Sequence, residues 1–136
     1  ADKLLAWQRH HFPNGLPDEV WVGCTVESQK YADTRIPLLT QVKAKVHYLS
    51  CEPMFGQVNL DPTWLRNLEW IIVGGESGHK ARPGNPSWYR SLRDQANAAN
   101  IPFHFKQWGE WDVNGVRIGK KKAGRHLDGR TWDELP

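Results

Sequence analysis

The fold is decided by Trp70-Ile71-Ile72-Val73-Gly74-Gly75-Glu76-Ser77, an apolar run that ends abruptly in glycines and polar residues. An apolar run of this length without polar alternation is typical of a strand that is buried on both faces of a parallel sheet. Similar runs begin near Val20, His47 and Ile101, and each of them also ends in polar residues. The sequence therefore predicts a row of parallel strands with polar groups at their carboxyl ends.

Segments with helical patterns separate these strands. Residues 3–12 form one such segment, Ser28 precedes a second, and Pro86 opens a third at a position that suits a first helical turn. We expect Pro37 to kink or divide the second helix, and residues 63–67 to form a short helix. Alternating strands and helices favour parallel pairing through right-handed crossovers. The predicted fold is α/β, a partial (half) TIM-like barrel of about four parallel strands with crossover helices.

The chain is predicted to have three parts. Residues 1–18 form an N-terminal helix and linker, residues 19–111 form the α/β half-barrel, and residues 112–136 form a C-terminal hairpin and irregular tail. The dipeptides Asn114-Gly115 and Asp128-Gly129 mark turns in this last part. We expect the basic stretch 117–126 to be a solvated hairpin.

Composition narrows the class of protein. The chain has 136 residues, of which 39% are hydrophobic, which suits one globular domain with a core. Its formal charge of +3 permits nucleic-acid binding but does not indicate it, because acidic and basic residues are interspersed. Cys24 and Cys51 lie in apolar runs and predict reduced, buried thiols, as in a cytoplasmic protein. No apolar stretch reaches the ~18 residues that cross a bilayer.

Ionisable or polar side chains end all four predicted strands. Because the carboxyl ends of parallel strands meet at one edge, we expect these side chains to surround one cavity. Carboxylates there can act as general bases or bind a ligand amine, and a lysine can pair with them or with an anion. The alternative is a buried ion-pair network without a catalytic role. The candidate catalytic residues are Glu27, Glu52, Glu76 and Lys106, and Gln107 is expected beside them.

The peptide Gly74-Gly75-Glu76-Ser77 is the most distinctive in the chain. Two glycines after a strand allow a ligand to approach the backbone and its amide donors, although a turn with positive φ explains them equally well. Arg82, in the following loop, can bind a carboxylate or phosphate in bidentate fashion, or it can face solvent. The spacing of the histidines predicts no metal site. The candidate cofactor-binding residues are Gly74, Gly75, Glu76, Ser77, Arg82 and Gln107.

Five collinear segments carry a family resemblance. They are Trp21-Val22-Gly23-Cys24-Thr25-Val26-Glu27, Tyr31-Ala32-Asp33-Thr34-Arg35-Ile36-Pro37-Leu38-Leu39, Leu49-Ser50-Cys51-Glu52-Pro53, Trp70 through Gly78, and Phe105-Lys106-Gln107-Trp108-Gly109-Glu110-Trp111. In these segments, and onward to Pro136, the chain resembles a phage-associated, largely uncharacterised family of radical-SAM-like proteins. The resemblance covers nearly the whole chain from about Glu19.

The resemblance implies a chemistry that this chain carries only in part. It implies an N-terminal cysteine cluster that holds an iron-sulfur centre, S-adenosylmethionine as cosubstrate, and a Gly-Gly-Glu peptide for the methionine amino group. Such a cluster needs three closely spaced thiolates, whereas Cys24 and Cys51 are two and far apart. We therefore expect this chain to be the C-terminal part of such a protein, without the cysteine-bearing part and catalytically incomplete alone.

Unpaired strand edges predict partners. A half-barrel leaves parallel strand edges open, so we expect self-association or docking on another protein. The alternative function is a phage-derived interaction protein that binds a host protein in the host cytoplasm without catalysis, as in counter-defence. A weaker alternative is a nucleic-acid-binding accessory protein that contacts phosphates through residues 120–125.

Overall fold

The computed structural model describes residues 1–136, in which strands and helices alternate as predicted. The elements are α1 (Asp2–His11), β1 (Val22–Thr25), α2 (Gln29–Leu39), β2 (His47–Cys51), α3 (Pro62–Leu65), β3 (Trp70–Gly74), α4 (Pro86–Ala98), β4 (Phe103–Gln107) and α5 (Lys120–Ala123). No helix is both long enough and apolar enough to cross a membrane.

The four strands form one parallel sheet in the order β1-β2-β3-β4. Helix α2 packs against β1, and α4 packs against β3 and β4. The sheet is open, because β1 and β4 lie at opposite ends and do not pair with each other. The structure thus confirms the α/β class, with four parallel strands and crossover helices that do not close into a barrel.

Local signals explain where α4 begins and which face it buries. The Asn85 side chain accepts a hydrogen bond from the Ser87 backbone N–H, and Pro86 occupies the first turn. Tyr89, Leu92 and Ala96 recur at helical spacing and are buried. This apolar stripe holds α4 against the sheet.

Helix α2 differs from the prediction at both ends. Ser28 stands at its N-cap position, but the serine side chain makes no capping hydrogen bond. Pro37 does not divide the helix, because it lies in the last turn and the helix continues to Leu39.

The hydrophobic core lies between the helices and one face of the sheet. Fully buried side chains of β2, β3 and β4 lie on that face. They are Leu49, Cys51, Ile71, Val73, Phe103 and Phe105. The opposite face carries the partly exposed aromatic rings of Tyr48, Trp70 and His104, which contact one another across the strands. One face is therefore covered by helices and the other is open.

Both cysteines are free, as the sequence predicts. Cys51 is buried in the core, whereas Cys24 is only partly buried. Burial raises the pKa of Cys24 to about 11 and also raises the pKa of Cys51. Both groups are therefore protonated thiols at neutral pH, and neither is an activated nucleophile.

The C-terminal tail covers the outer edge of β4. The Phe105 backbone N–H donates to the Trp132 carbonyl oxygen at 2.9 Å, in an antiparallel contact. Arg90 and Arg93 of α4 both bind the Asp128 carboxylate, and their hydrogen bonds lower the pKa of Asp128 to about 2. The tail is irregular, as predicted, but it is fixed to both the sheet and α4.

The segment before the tail contains one predicted turn and one unpredicted helix. The turn at Asn114-Gly115 forms, and a bridge between Trp111 and Arg117 closes it. The prediction of a solvated hairpin over residues 117–126 is wrong, because Lys120–Ala123 is helical. Glycines with positive φ bound this helical turn on both sides, and lysine and alanine are good helix formers.

Candidate functional site

The loops that leave the strands contact one another at the carboxyl edge of the sheet. The Phe55 backbone N–H donates to the Glu27 carbonyl oxygen at 2.6 Å, which joins the loops after β1 and β2. The Glu110 N–H donates to the Glu76 carbonyl oxygen at 3.1 Å, which joins the segments after β3 and β4. The strand-end loops therefore meet at this edge.

Glu52 is the centre of the most connected group at this edge, which we call the Glu52 cluster: Glu52, Lys106, Gln107 and Gly74. The Gln107 side-chain amide donates to Glu52 Oε1 at 2.8 Å, and Lys106 Nζ lies 3.0 Å from Glu52 Oε2. The Glu52 side chain is 17% exposed, whereas that of Lys106 is 53% exposed. The Glu52 carboxylate is therefore mostly buried, whereas the side chain of its cationic partner, Lys106, is largely exposed to solvent.

A register shift between β3 and β4 builds this cluster. Val73 lies opposite Phe105, yet the next residue, Gly74, lies opposite Gln107, so β4 has one extra residue there. Without this shift, Lys106 and Gln107 would lie on opposite faces of a regular strand. The irregularity allows both side chains to reach Glu52.

Glu76 forms a separate ion pair with Arg82. Arg82 Nε and Nη2 donate to the two carboxylate oxygens at 2.8 and 2.9 Å, and the Arg82 backbone N–H donates at 2.9 Å. These hydrogen bonds lower the pKa of Glu76. The Arg82 guanidinium also lies 4.0 Å from the centre of the Phe55 ring. Ser77, the next residue, is exposed.

Glu27 forms a third ion pair, with Arg35 of α2. Arg35 Nη1 donates to Glu27 Oε2 at 2.8 Å and to the Thr25 carbonyl oxygen at 2.7 Å, and its guanidinium covers the Tyr31 ring. Arg35 is not among the candidate residues predicted from the sequence. The pattern that could have indicated it is its spacing of four residues from Tyr31, on the helix that follows Glu27.

The two glycines at the end of β3 lie in close packing contacts within the chain. A Cβ atom on Gly74 would lie 3.0 Å from the Glu52 carboxyl carbon, and one on Gly75 would lie 1.8 Å from the Trp108 carbonyl oxygen. Neither glycine has a positive φ. Close approach of the strand-end loops, rather than turn conformation, therefore explains the glycine pair.

The candidate residues form three ion pairs at one edge of the sheet. In each pair one glutamate faces one cation, so the charges of the set balance. None of the five main surface cavities is lined by Glu27, Glu52 or Glu76. A cavity of about 400 Å³ adjoins the Glu52 cluster and is lined by Lys106, Gln107, Lys120, Lys121, Gly124 and Arg125.

The ion pairs limit what the edge can do chemically. A carboxylate that is bound to a cation is a weak general base unless its partner moves away. Lys106 is the cation held by the fewest contacts, since one N···O contact joins its flexible side chain to Glu52, whereas Arg82 and Arg35 each donate two side-chain hydrogen bonds. No group of three or more His, Cys, Asp or Glu side chains is placed to hold a metal ion.

Comparison with known proteins gives one match. The family described as "Protein of unknown function (DUF5131)" matches residues 1–136, and the chain belongs to this family. No curated protein and no solved structure matches the chain.

Proposed function

We propose that this member of the DUF5131 family is the ligand-binding part of a radical-SAM-like protein. In this proposal, the Glu52 cluster holds the amino-acid end of S-adenosylmethionine. The observation that carries the proposal is a carboxylate with an ammonium group and an amide each within 3.0 Å of it, at the carboxyl ends of β2 and β4. An α-amino acid carries the complementary ammonium and carboxylate groups, and the carboxyl ends of parallel strands are the usual place for a ligand.

Glu52 suits the ligand ammonium better than Glu76 does. Arg82 gives Glu76 three hydrogen bonds in a fixed bidentate arrangement, which an amine would have to replace. Glu52 is bound by one mobile lysine and one amide. An incoming ligand can therefore place its ammonium on Glu52 while Lys106 and Gln107 turn to its carboxylate.

The rest of the cosubstrate meets a partly apolar surface. Phe55 lies three residues beyond Glu52 in the same loop and is 46% exposed. The Arg82 guanidinium covers one face of this ring, and an adenine would stack on the other. The residues present do not fit an iron-sulfur cluster, because the two cysteines point into or border the core as protonated thiols. We propose accordingly that the chain contributes a binding surface and does not supply the cluster.

Calorimetric titration with S-adenosylmethionine tests this function. We expect the wild-type chain to bind, and Glu52→Gln to weaken the affinity by about tenfold or more, because a charged hydrogen-bond acceptor is lost from a mostly buried site. Glu19→Gln is the matched control, since Glu19 is exposed and makes no ion pair. L-methionine should compete with the cosubstrate. Absence of binding, or equal binding by both variants, would contradict the proposal.

A second candidate function is protein binding through the free edge of β1. The Val22 N–H donates to the carbonyl oxygen of Val46, just before β2, and the Val26 N–H donates to that of Ser50 in β2. By alternation, the N–H groups of Gly23 and Thr25 point away from the sheet. Trp21, beside this edge, is 44% exposed. The outer edge of β4 is covered by the tail, whereas on the outer edge of β1 the Arg35 side chain binds the Thr25 carbonyl oxygen and no further strand pairs with Gly23 or Thr25. A phage-derived protein that binds a host protein in the cytoplasm would use such an edge for strand addition.

Self-association is the simplest test of the β1 edge. We expect the wild-type chain to dimerise at high concentration by pairing two β1 strands. Thr25→Pro should remain monomeric, because it removes an outward N–H without removing a bond to β2. Light scattering over a concentration series measures both masses. A wild-type chain that stays monomeric at its highest soluble concentration rules out pairing between copies.

A further inference from the structure

One cavity is lined by four cationic residues, a glutamine and a glycine, and it carries an excess of positive charge. We call it the basic cavity: the space of about 400 Å³ lined by Lys106, Gln107, Lys120, Lys121, Gly124 and Arg125. None of its lining residues is hydrophobic. Its volume falls within the ~300–1,000 Å³ that is usual for small-molecule sites, but its chemistry is that of an anion site.

The positive charge of the basic cavity is not neutralised by its neighbours. Lys106 pairs with Glu52, and Arg125 pairs with Asp133. Neither Lys120 nor Lys121 takes part in an ion pair, so no carboxylate oxygen lies within 4.0 Å of either ammonium group. Four cations therefore face two carboxylates, which leaves two uncompensated charges at the mouth of the cavity.

The local sequence concentrates this charge. Between Asp112 and Asp128 the chain has five lysine or arginine residues and no acidic one. The fold brings the segment beside β4, since the Trp108 backbone N–H donates to the Gly124 carbonyl oxygen at 3.0 Å. Burial is the main cause that lowers the pKa of His104 on β4, and the charges of Arg125 and Lys106 lower it further.

We propose that the basic cavity binds the phosphate groups of a nucleotide or of a nucleic-acid backbone. Clustered lysines with a guanidinium are the side chains that bind phosphate oxygens. The cavity is too large for a single inorganic phosphate, and carbon atoms of the lining residues form most of its exposed wall. The cations recognise the phosphate groups, and contacts to phosphates carry no base specificity. The inference rests on Lys120 and Lys121 and does not depend on binding at Glu52.

Fluorescence anisotropy of a labelled single-stranded oligonucleotide tests the proposal, together with competition by a nucleoside triphosphate and by inorganic triphosphate. The test variant is the double change Lys120→Gln and Lys121→Gln. The control is Lys3→Gln with Lys30→Gln, which removes the same charge from exposed positions on α1 and α2. We expect the test variant to bind about tenfold more weakly at low salt, with a salt dependence smaller by about two counterions. The control should bind like the wild type.

The two sources of phosphate give different results. Strong oligonucleotide binding with weak competition by triphosphates indicates a nucleic-acid backbone, and effective competition by both triphosphates indicates a free nucleotide. Equal losses in the two double variants would show that net charge alone attracts the probe and would overturn the proposal. Absence of binding by every probe at low salt would also overturn it. Binding of S-adenosylmethionine by the test variant separates this proposal from the proposed function, because Glu52 is unchanged in it.

Discussion

Replacing Gly75 with alanine is expected to destabilise the protein strongly. The new Cβ atom would lie 1.8 Å from the Trp108 carbonyl oxygen and 2.5 Å from its carbonyl carbon. Both are backbone atoms, so no side-chain rotation relieves the overlap. The segments after β3 and β4 would have to separate, and this would break the Gly75 N–H hydrogen bond to the Gln107 carbonyl oxygen, which is 2.8 Å long. We expect a loss of about 3 kcal/mol or more in the free energy of unfolding.

Gly56→Ala is the matched control for this substitution. Gly56 lies in another strand-end loop, has no positive φ, and has no atom within 4 Å of the position of an added Cβ. We expect its urea midpoint to equal or slightly exceed that of the wild type, because alanine reduces the freedom of the unfolded chain. If Gly75→Ala and Gly56→Ala unfold at the same urea concentration, the loops do not pack as described.

Replacing Phe105 with alanine is the second large effect that we expect. The Phe105 side chain is fully buried, and its ring centre lies 5.6 Å from that of Tyr89 and 5.2 Å from that of Trp108. Removing the ring leaves a cavity between β4 and α4 and loses the edge contacts with both aromatic neighbours. We expect a cost of about 3–5 kcal/mol in the free energy of unfolding.

Phe55→Ala makes the same chemical change at an exposed site. Phe55 is 46% exposed and contacts the Arg82 guanidinium. We expect a stability loss of about 1 kcal/mol or less, because little apolar area returns to water. Urea unfolding measures the stability of both variants. If Phe105→Ala does not fold, Phe105→Leu replaces it in the comparison. Similar losses at positions 55 and 105 would contradict the assignment of the core to the helix-facing side of the sheet.

The fold was predictable because the strand signal is local. Runs such as Trp70–Val73 are apolar throughout, and helical patterns separate them, so the order of elements and the parallel pairing follow from the sequence alone. The start of α4 was predictable for the same reason, since Asn85 and Pro86 act on the backbone next to them. Convergence of the three glutamates at one edge also follows from parallel pairing.

The contacts within that edge were not predictable, because they depend on register. The irregularity at Gly74 decides that both Lys106 and Gln107 reach Glu52, and no local pattern marks it. The same holds for Gly75. A side chain at this position would overlap the backbone of Trp108, which is more than thirty residues away in the chain. The arrangement of the tail on β4 likewise depends on long-range contacts, such as the ion pairs of Asp128 with Arg90 and Arg93.

The same limit applies to the basic cavity. The sequence shows a basic stretch, but it does not show that Lys120 and Lys121 line a space together with Lys106 of β4. It predicts a hairpin where the structure has a helical turn, because the effect of Gly119 and Gly124 depends on the positive φ that they adopt. The sequence offers residues 120–125 as a phosphate contact, and the fold adds Lys106 and Gln107 of β4 to them.

The most direct test of the central claim is a two-dimensional ¹H–¹⁵N NMR titration of the chain with S-adenosylmethionine. The proposed function predicts the largest changes at the backbone amides of Gly74, Gly75, Lys106 and Gln107 and at the Gln107 side-chain amide. It also predicts that the same residues change little in Glu52→Gln. Changes confined to residues 117–125, or no changes at all, would contradict a ligand site at the carboxyl edge of the sheet.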